Sequence, residues 1–186
     1  MTSSERRSPV GRVIAAMIVI ASLATGCSSV LGSNSGKLDY TPTVKTVQDA
    51  RADTRDVSSR LFDIISVQGE ASEPGPGVTT CEADPDMERL YKMHHPWSIS
   101  GVSRDVLREG MERLREQLPQ EGWEIIEDGE ANNANRSPVI LFENRDVEYA
   151  AHVTLMGKTD EDSLLYVFLV SACFSTPEGE SPKGSY

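Results

Sequence analysis

The segment LLYVFLVSACF, Leu164 to Phe174, constrains this chain more than any other. It carries no charge, and its length suits a strand. Successive strand residues point to opposite faces of a sheet. Both faces of this segment are apolar, which is the pattern of a central strand covered on both sides. A sheet must therefore be built around it, with other strands on its flanks and cover above and below.

The remaining elements are read by period. Thr41-Pro42 is expected to open a first helix, with Thr as N-cap and Pro at the first helical position. Val44, Val47, Val57, Leu61, Ile64 and Ile65 fall at helical spacing, and the helix is expected to end near Ser66. The turn-rich stretch Gly69 to Gly77 breaks the chain. From Glu88 to Ser100, Tyr91, Met93, Trp97 and Ile99 alternate with Lys92, His94, Ser98 and Ser100, a period of two that argues a half-buried strand. Pro96 has no backbone donor, so it marks an edge or a bulge there. Ser103 caps a second helix over about 104–118, with Leu107, Met111, Leu114 and Leu118 inward and Glu109–Arg113 as an outward pair. Pro119 stops it. Strands follow at 122–127, 139–143 and 147–155, and then at 164–174. The expected fold is α+β: one mostly antiparallel sheet of about five strands with two main helices, in the order helix-strand-helix-strand-strand-strand-strand. One such domain, 41–175, accounts for the core, and the polar residues 176–186 read as a disordered tail.

The N-terminus does not belong to that globule. Arg6, Arg7 and Arg12 precede an uncharged stretch, Val13 to Gly26, and Cys27 follows directly. Basic, apolar and then small residues are the three parts of a secretory signal, here 1–26. Leu23-Ala24-Thr25-Gly26-Cys27 resembles the lipobox of bacterial lipoproteins, with the leucine one place further from the cysteine than in the commonest pattern. That resemblance implies cleavage before Cys27, lipid on its sulfur, and a chain held on the extracytoplasmic face of the cell membrane. Two or three acyl chains anchor durably where one does not. An uncleaved spanning helix would need about 20 apolar residues, more than the strongly apolar part supplies. Residues 27–40 read as the lipidated cysteine and a flexible Ser/Gly/Asn tether.

With Cys27 lipidated, Cys81 and Cys173 remain, an even pair in an oxidising compartment. A bridge between them would contribute about 4 kcal/mol through loop closure. The alternative is two free buried thiols. Loss of Glu5, Arg6, Arg7 and Arg12 with the signal takes the net charge from −11 to −13. Such a surface repels phosphate backbones, so no nucleic-acid partner is expected, and lipid rather than charge must hold the membrane.

The stretch CEADPDMERLYKMHHPWSISGVSRDVLREGMERLREQLPQEGWEI, taken with the closing VSACF, resembles small secreted lipoproteins of actinobacteria. The shared features are a cysteine before a Tyr…HPWS strand, a helix ending in LP-x-x-GW, and a late cysteine. The likeness covers most of residues 40–176. It implies an address and a fold, and no catalytic residues.

No constellation in the chain carries chemistry on its own. His94 and His95 are adjacent on a strand and so face opposite ways; they cannot easily share a metal ion. His152 is the other histidine. Ser98 and Ser100 lie near the histidines without a nucleophile motif. Asp84, Asp86 and Glu88 read as a solvated turn. Asp160-Glu161-Asp162 lacks the spacing of a calcium loop. Gly75-Pro76-Gly77 reads as a turn. Trp97 and Trp123 suit either a core or the rim of a binding surface. No catalytic, cofactor or metal residue is therefore assigned. The expected function is a lipid-anchored, non-catalytic envelope domain that binds a partner protein, lipid or cell-wall component. The alternative is a small extracellular or cell-wall-acting enzyme.

Overall fold

The computed structural model describes residues 37–72 and 74–185. The signal, the lipobox with Cys27 and most of the tether lie outside the described residues. Helix α1 spans Val47–Ile65. Two short strands follow, β1 Glu70–Ala71 and β2 Gly77–Thr80, then the long β3, Leu90–Ser100. Helix α2, Arg104–Gln117, runs into a 3-10 turn at Leu118–Glu121. The strands β4 Glu124–Glu130, β5 Pro138–Asn144, β6 Tyr149–Met156, β7 Leu164–Ser171 and β8 Phe174–Ser175 complete the chain. The fold is α+β with one antiparallel sheet, and it holds eight strands where about five were expected.

The extra strands come from interruption. The sheet runs β1-β3-β7-β6-β5-β4. On one flank of β3, β1 pairs at Ile99–Ser100 and β2 at Tyr91–His94, with a break between them. On the other flank β7 pairs with His94–Ile99 and β8 with Leu90–Tyr91. The expected strand 164–174 is therefore split at Ala172–Cys173, where the Ser171 hydroxyl takes the Met93 N–H that the ladder would have used. Tyr91 pairs with Thr80 on one side and Phe174 on the other, so the ends of β2 and β8 lie on opposite flanks of β3. Cys81 and Cys173 follow from that placement: their Cα atoms are 5.7 Å apart and the sulfurs are bonded, within the reach a disulfide requires.

Both helices pack on one face of the sheet. Ala50, Leu61, Ile64 and Ile65 of α1 and Leu107, Met111, Leu114 of α2 meet Tyr91, Met93, Trp97, Ile99, Phe142, Tyr149, Val153, Leu155, Leu165, Val167 and Leu169 there. Among the described residues no helix covers the other face. The outward residues of β7, Leu164, Tyr166, Phe168 and Val170, are half-buried, so two-sided cover is corrected. Their protection is lateral. Phe168 stacks on His94 across the strand, while the small outward residues of β6, Ala150 and Thr154, are buried among larger neighbours. Large side chains on a twisted sheet shield small ones without a covering layer.

Three further expectations change. The first helix starts at Val47, because the Thr46 hydroxyl accepts from Asp49 N–H and caps it. Residues 43–45 instead lie beside β8, with Lys45 N–H on Ser175 O and Ser175 N–H on Thr43 O, which leaves Val44 exposed. Arg113 pairs not with Glu109 but with the carbonyl of Ile65, through Nε at 2.8 Å and a terminal nitrogen at 2.5 Å, so it caps α1. The tail 176–185 is placed rather than disordered. Thr176 N–H bonds Arg89 O, the Ser181 hydroxyl bonds Met87 O, Lys183 pairs with Glu88, and Arg51 donates to Ser185 O. Its Ser, Gly and Pro composition hides these contacts because half of them are made by tail backbone groups.

Candidate functional site

The site begins with Pro96. Ser98 sends its N–H to the Ser72 hydroxyl and accepts from Ser72 N–H, so even-numbered residues of β3 address the β1/β2 flank. Pro96, two residues earlier, has no N–H to offer that flank. The edge chain accordingly leaves the ladder between Ala71 and Gly77, with Pro74, Gly75 and Pro76 unpaired beside β3. It rejoins at Gly77, where a Cβ would lie 2.7 Å from the His94 ring and would have to push it aside. The turn expected at Gly75-Pro76-Gly77 is thus the return of this loop.

Between the loop, α1 and β3 lies a cleft of about 560 Å³. Such a volume suits a small ligand. Helix α1 contributes Arg55, Ser58, Ser59, Phe62 and Asp63, and β3 contributes His95 and Trp97. Phe62 meets Trp97 edge-on, with ring centroids 5.9 Å apart. Trp97 is 5% exposed and belongs to the core cluster, yet its indole N–H is buried without a partner among the described residues. A buried donor left unmade costs about 1–3 kcal/mol. Trp123, also buried, sits at the far end of the core beside Val57, Leu61 and Asn144.

His95 joins the three walls. Its Nε2 is 2.5 Å from Pro74 O and its Nδ1 is 2.7 Å from the Ser58 hydroxyl. A carbonyl only accepts, so Nε2 carries the proton, and the Nδ1 lone pair then accepts the Ser58 O–H. Burial pushes the His95 pKa down, and Arg55 and His94 push the same way against the Pro74 bond, so the ring is held neutral. A hydroxyl, an imidazole and a carbonyl in series form the first part of a nucleophile relay. Ser58, however, is 6% exposed and sits in the interior of α1. There backbone N–H groups are committed to carbonyls four residues back, so the helix offers no backbone donor for a developing oxyanion. The chain of bonds ties helix, strand and loop together.

The other sequence candidates are placed elsewhere. His94 and His95 face opposite sides of the sheet, as alternation requires, and His152 lies with His94 on the open face, opposite Phe168. Asp84 accepts the N–H groups of Arg89 and Leu90; burial works to raise its carboxyl, but these bonds hold it below the usual range. Asp162 accepts from Thr159 and Lys158, whose donors lower its pKa, and Asp160 accepts the first N–H of α2 from Arg104. These carboxylates serve turns and a helix start. Among the described residues no group of three or more His, Cys, Asp or Glu side chains is assembled. Sequence reasoning noticed His95 and Trp97 but missed Arg55, Ser58 and Phe62. The available signal was Phe62, an aromatic one place off the Leu61–Ile64–Ile65 stripe, which aims it away from the core centre.

Comparison with protein-family models, curated proteins and solved structures finds no match to this chain. The site itself must carry the functional reading.

Proposed function

We propose that this chain is a bacterial envelope lipoprotein, anchored through lipid on Cys27, whose domain binds a small ligand in the cleft between α1 and β3. The observation that carries the reading is the cleft wall. Phe62 and Trp97 supply an aromatic surface, and Arg55 and Asp63 place opposite charges on the rim. A mostly apolar pocket with a few placed polar groups is the usual form of a ligand site. The Ser58 hydroxyl is buried in the interior of α1 and spent on His95, which favours binding over acyl transfer. The anchor reading rests on the lipobox-like sequence before Cys27 and on the uncharged stretch behind it. The likeness to actinobacterial lipoproteins supports the same address.

Two measurements test the proposal. Cys27→Ser should leave the protein soluble or unprocessed; a fully processed variant that stays firmly in the membrane refutes the anchor. The chain from residue 28 onward, expressed without the signal, equilibrated with an extract of bacterial envelope, re-isolated and analysed by mass spectrometry, should carry a small molecule that Phe62→Asp loses. An empty domain, or equal retention by the variant, refutes binding in the cleft.

A further inference from the structure

We propose that the cleft is polarised along α1 and takes a small carboxylate with an apolar body, its charge at Arg55 and its chain or ring at Phe62 and Trp97. This rests on the cleft being the binding site. Arg55, Ser58, Ser59 and Phe62 lie at spacings of three, one and three, so they share one face of α1 over two turns. Seven residues of helix rise about 10 Å. One end of the cleft is therefore cationic and the other aromatic, about 10 Å apart.

Arg55 stands out by what it lacks. Among the described residues every other arginine is engaged. Arg60 pairs with Glu121, Arg108 with Asp105, Arg115 with Glu112 and Asp128, Arg136 with Glu130, and Arg145 with Glu143. Arg51, Arg89, Arg104 and Arg113 donate to backbone carbonyls. Arg55 has no hydrogen-bond or ion-pair partner among the described residues, in a chain with eleven more negative than positive charges. It faces a cleft whose near wall is the neutral His95, both ring nitrogens of which are already bonded. His95 brings no second positive charge, so one guanidinium matches one carboxylate, which it can bind through two parallel hydrogen bonds. Ser59, exposed beside it, can add a hydroxyl donor.

The far end selects direction. Phe62 and Trp97, with Ala71, Pro74 and Pro76, form an apolar wall, and Asp63 sets a negative charge beside it. An anionic head is repelled from that end and attracted to Arg55, while a cationic head is favoured the other way round. The rim therefore sets the direction in which a charged ligand lies, and apolar contact supplies attraction to either.

The test uses three soluble amphiphiles of equal chain length, octanoate, octan-1-ol and octyltrimethylammonium. The protein is the chain from residue 28 onward, expressed without the signal; the sheet, the core and the disulfide all lie after residue 42, so the domain keeps its structure without the anchor. Calorimetric titration should show octanoate binding once per chain and at least tenfold tighter than octan-1-ol. Arg55→Glu, at an exposed position that leaves folding intact, should lose at least tenfold for octanoate and gain for the ammonium. Phe62→Ala should weaken all three together. Equal affinity for the three head groups, or octanoate binding unmoved by Arg55→Glu, overturns the polarity while leaving the cleft as a site. No binding of any of the three overturns the cleft reading as well.

Discussion

Reduction of the Cys81–Cys173 bond tests the fold at the point where its two flanking strands meet. The cysteines are 92 residues apart, so the oxidised denatured chain is closed into a loop of roughly that length. Loop-closure entropy for such a loop is about 16 cal/mol/K, or about 4.6 kcal/mol at 25 °C. For a domain of this size one kilocalorie shifts the midpoint by about 2–4 °C, so opening the loop should lower it by roughly 10–18 °C. Both sulfurs are buried, at 0% and 2% residue exposure. A reductant therefore acts slowly on the native protein, and the sample must be reduced in denaturant and refolded. Scanning calorimetry of the oxidised, reduced and Cys81→Ala/Cys173→Ala forms gives the comparison. The reduced and alanine forms should melt close together and well below the oxidised one. A midpoint that moves by less than about 2 °C would refute the entropic argument. Free thiols that alkylate in native oxidised protein would refute the bond itself.

Three other outcomes follow from particular contacts. Arg113→Met removes both donors to Ile65 O and should cost about 1–2 kcal/mol, read as a lower urea midpoint at unchanged slope. Gly157→Ala should cost more than about 1 kcal/mol, because its φ is +79° and the new Cβ would lie 2.3 Å from Asp162 O; Gly129→Ala, with nothing within 4 Å, should be within about 0.5 kcal/mol of wild type in the same assay. His95 titrates lower in the folded chain than the ordinary value of about 6.5, so below that pH the unfolded chain takes up the proton first. Its contribution is complete above that pH and is lost as the pH falls toward the folded value. His95→Gln should flatten the fall in melting temperature between pH 7 and 5, and equal slopes in both proteins would count against a neutral, buried ring.

Local pattern was enough for several elements. The alternation of Tyr91, Met93, Trp97 and Ile99 placed one face of β3 in the core, and Ser103 with the Leu107–Met111–Leu114 stripe placed α2 almost to the residue. Period and capping are properties of neighbouring residues, so they survive in sequence. The pairing of Cys81 with Cys173 was also legible, because two cysteines remain once Cys27 is set aside. The start of α1, the order of the tail, the open face of β7 and the partner of Arg113 were not. Each depends on which distant backbone groups remain to be satisfied, and those are known only after strands pair. The cleft belongs to the same class. Pro96 announced an edge in the sequence, but only the pairing of β1 and β2 on one flank turned its missing N–H into a gap in the ladder. Arg55, Ser58 and Phe62, far upstream in the chain, became its wall because α1 happens to cross that gap. A helix face carries no local sign of what it will be laid against, so tertiary packing alone decided where the site would be.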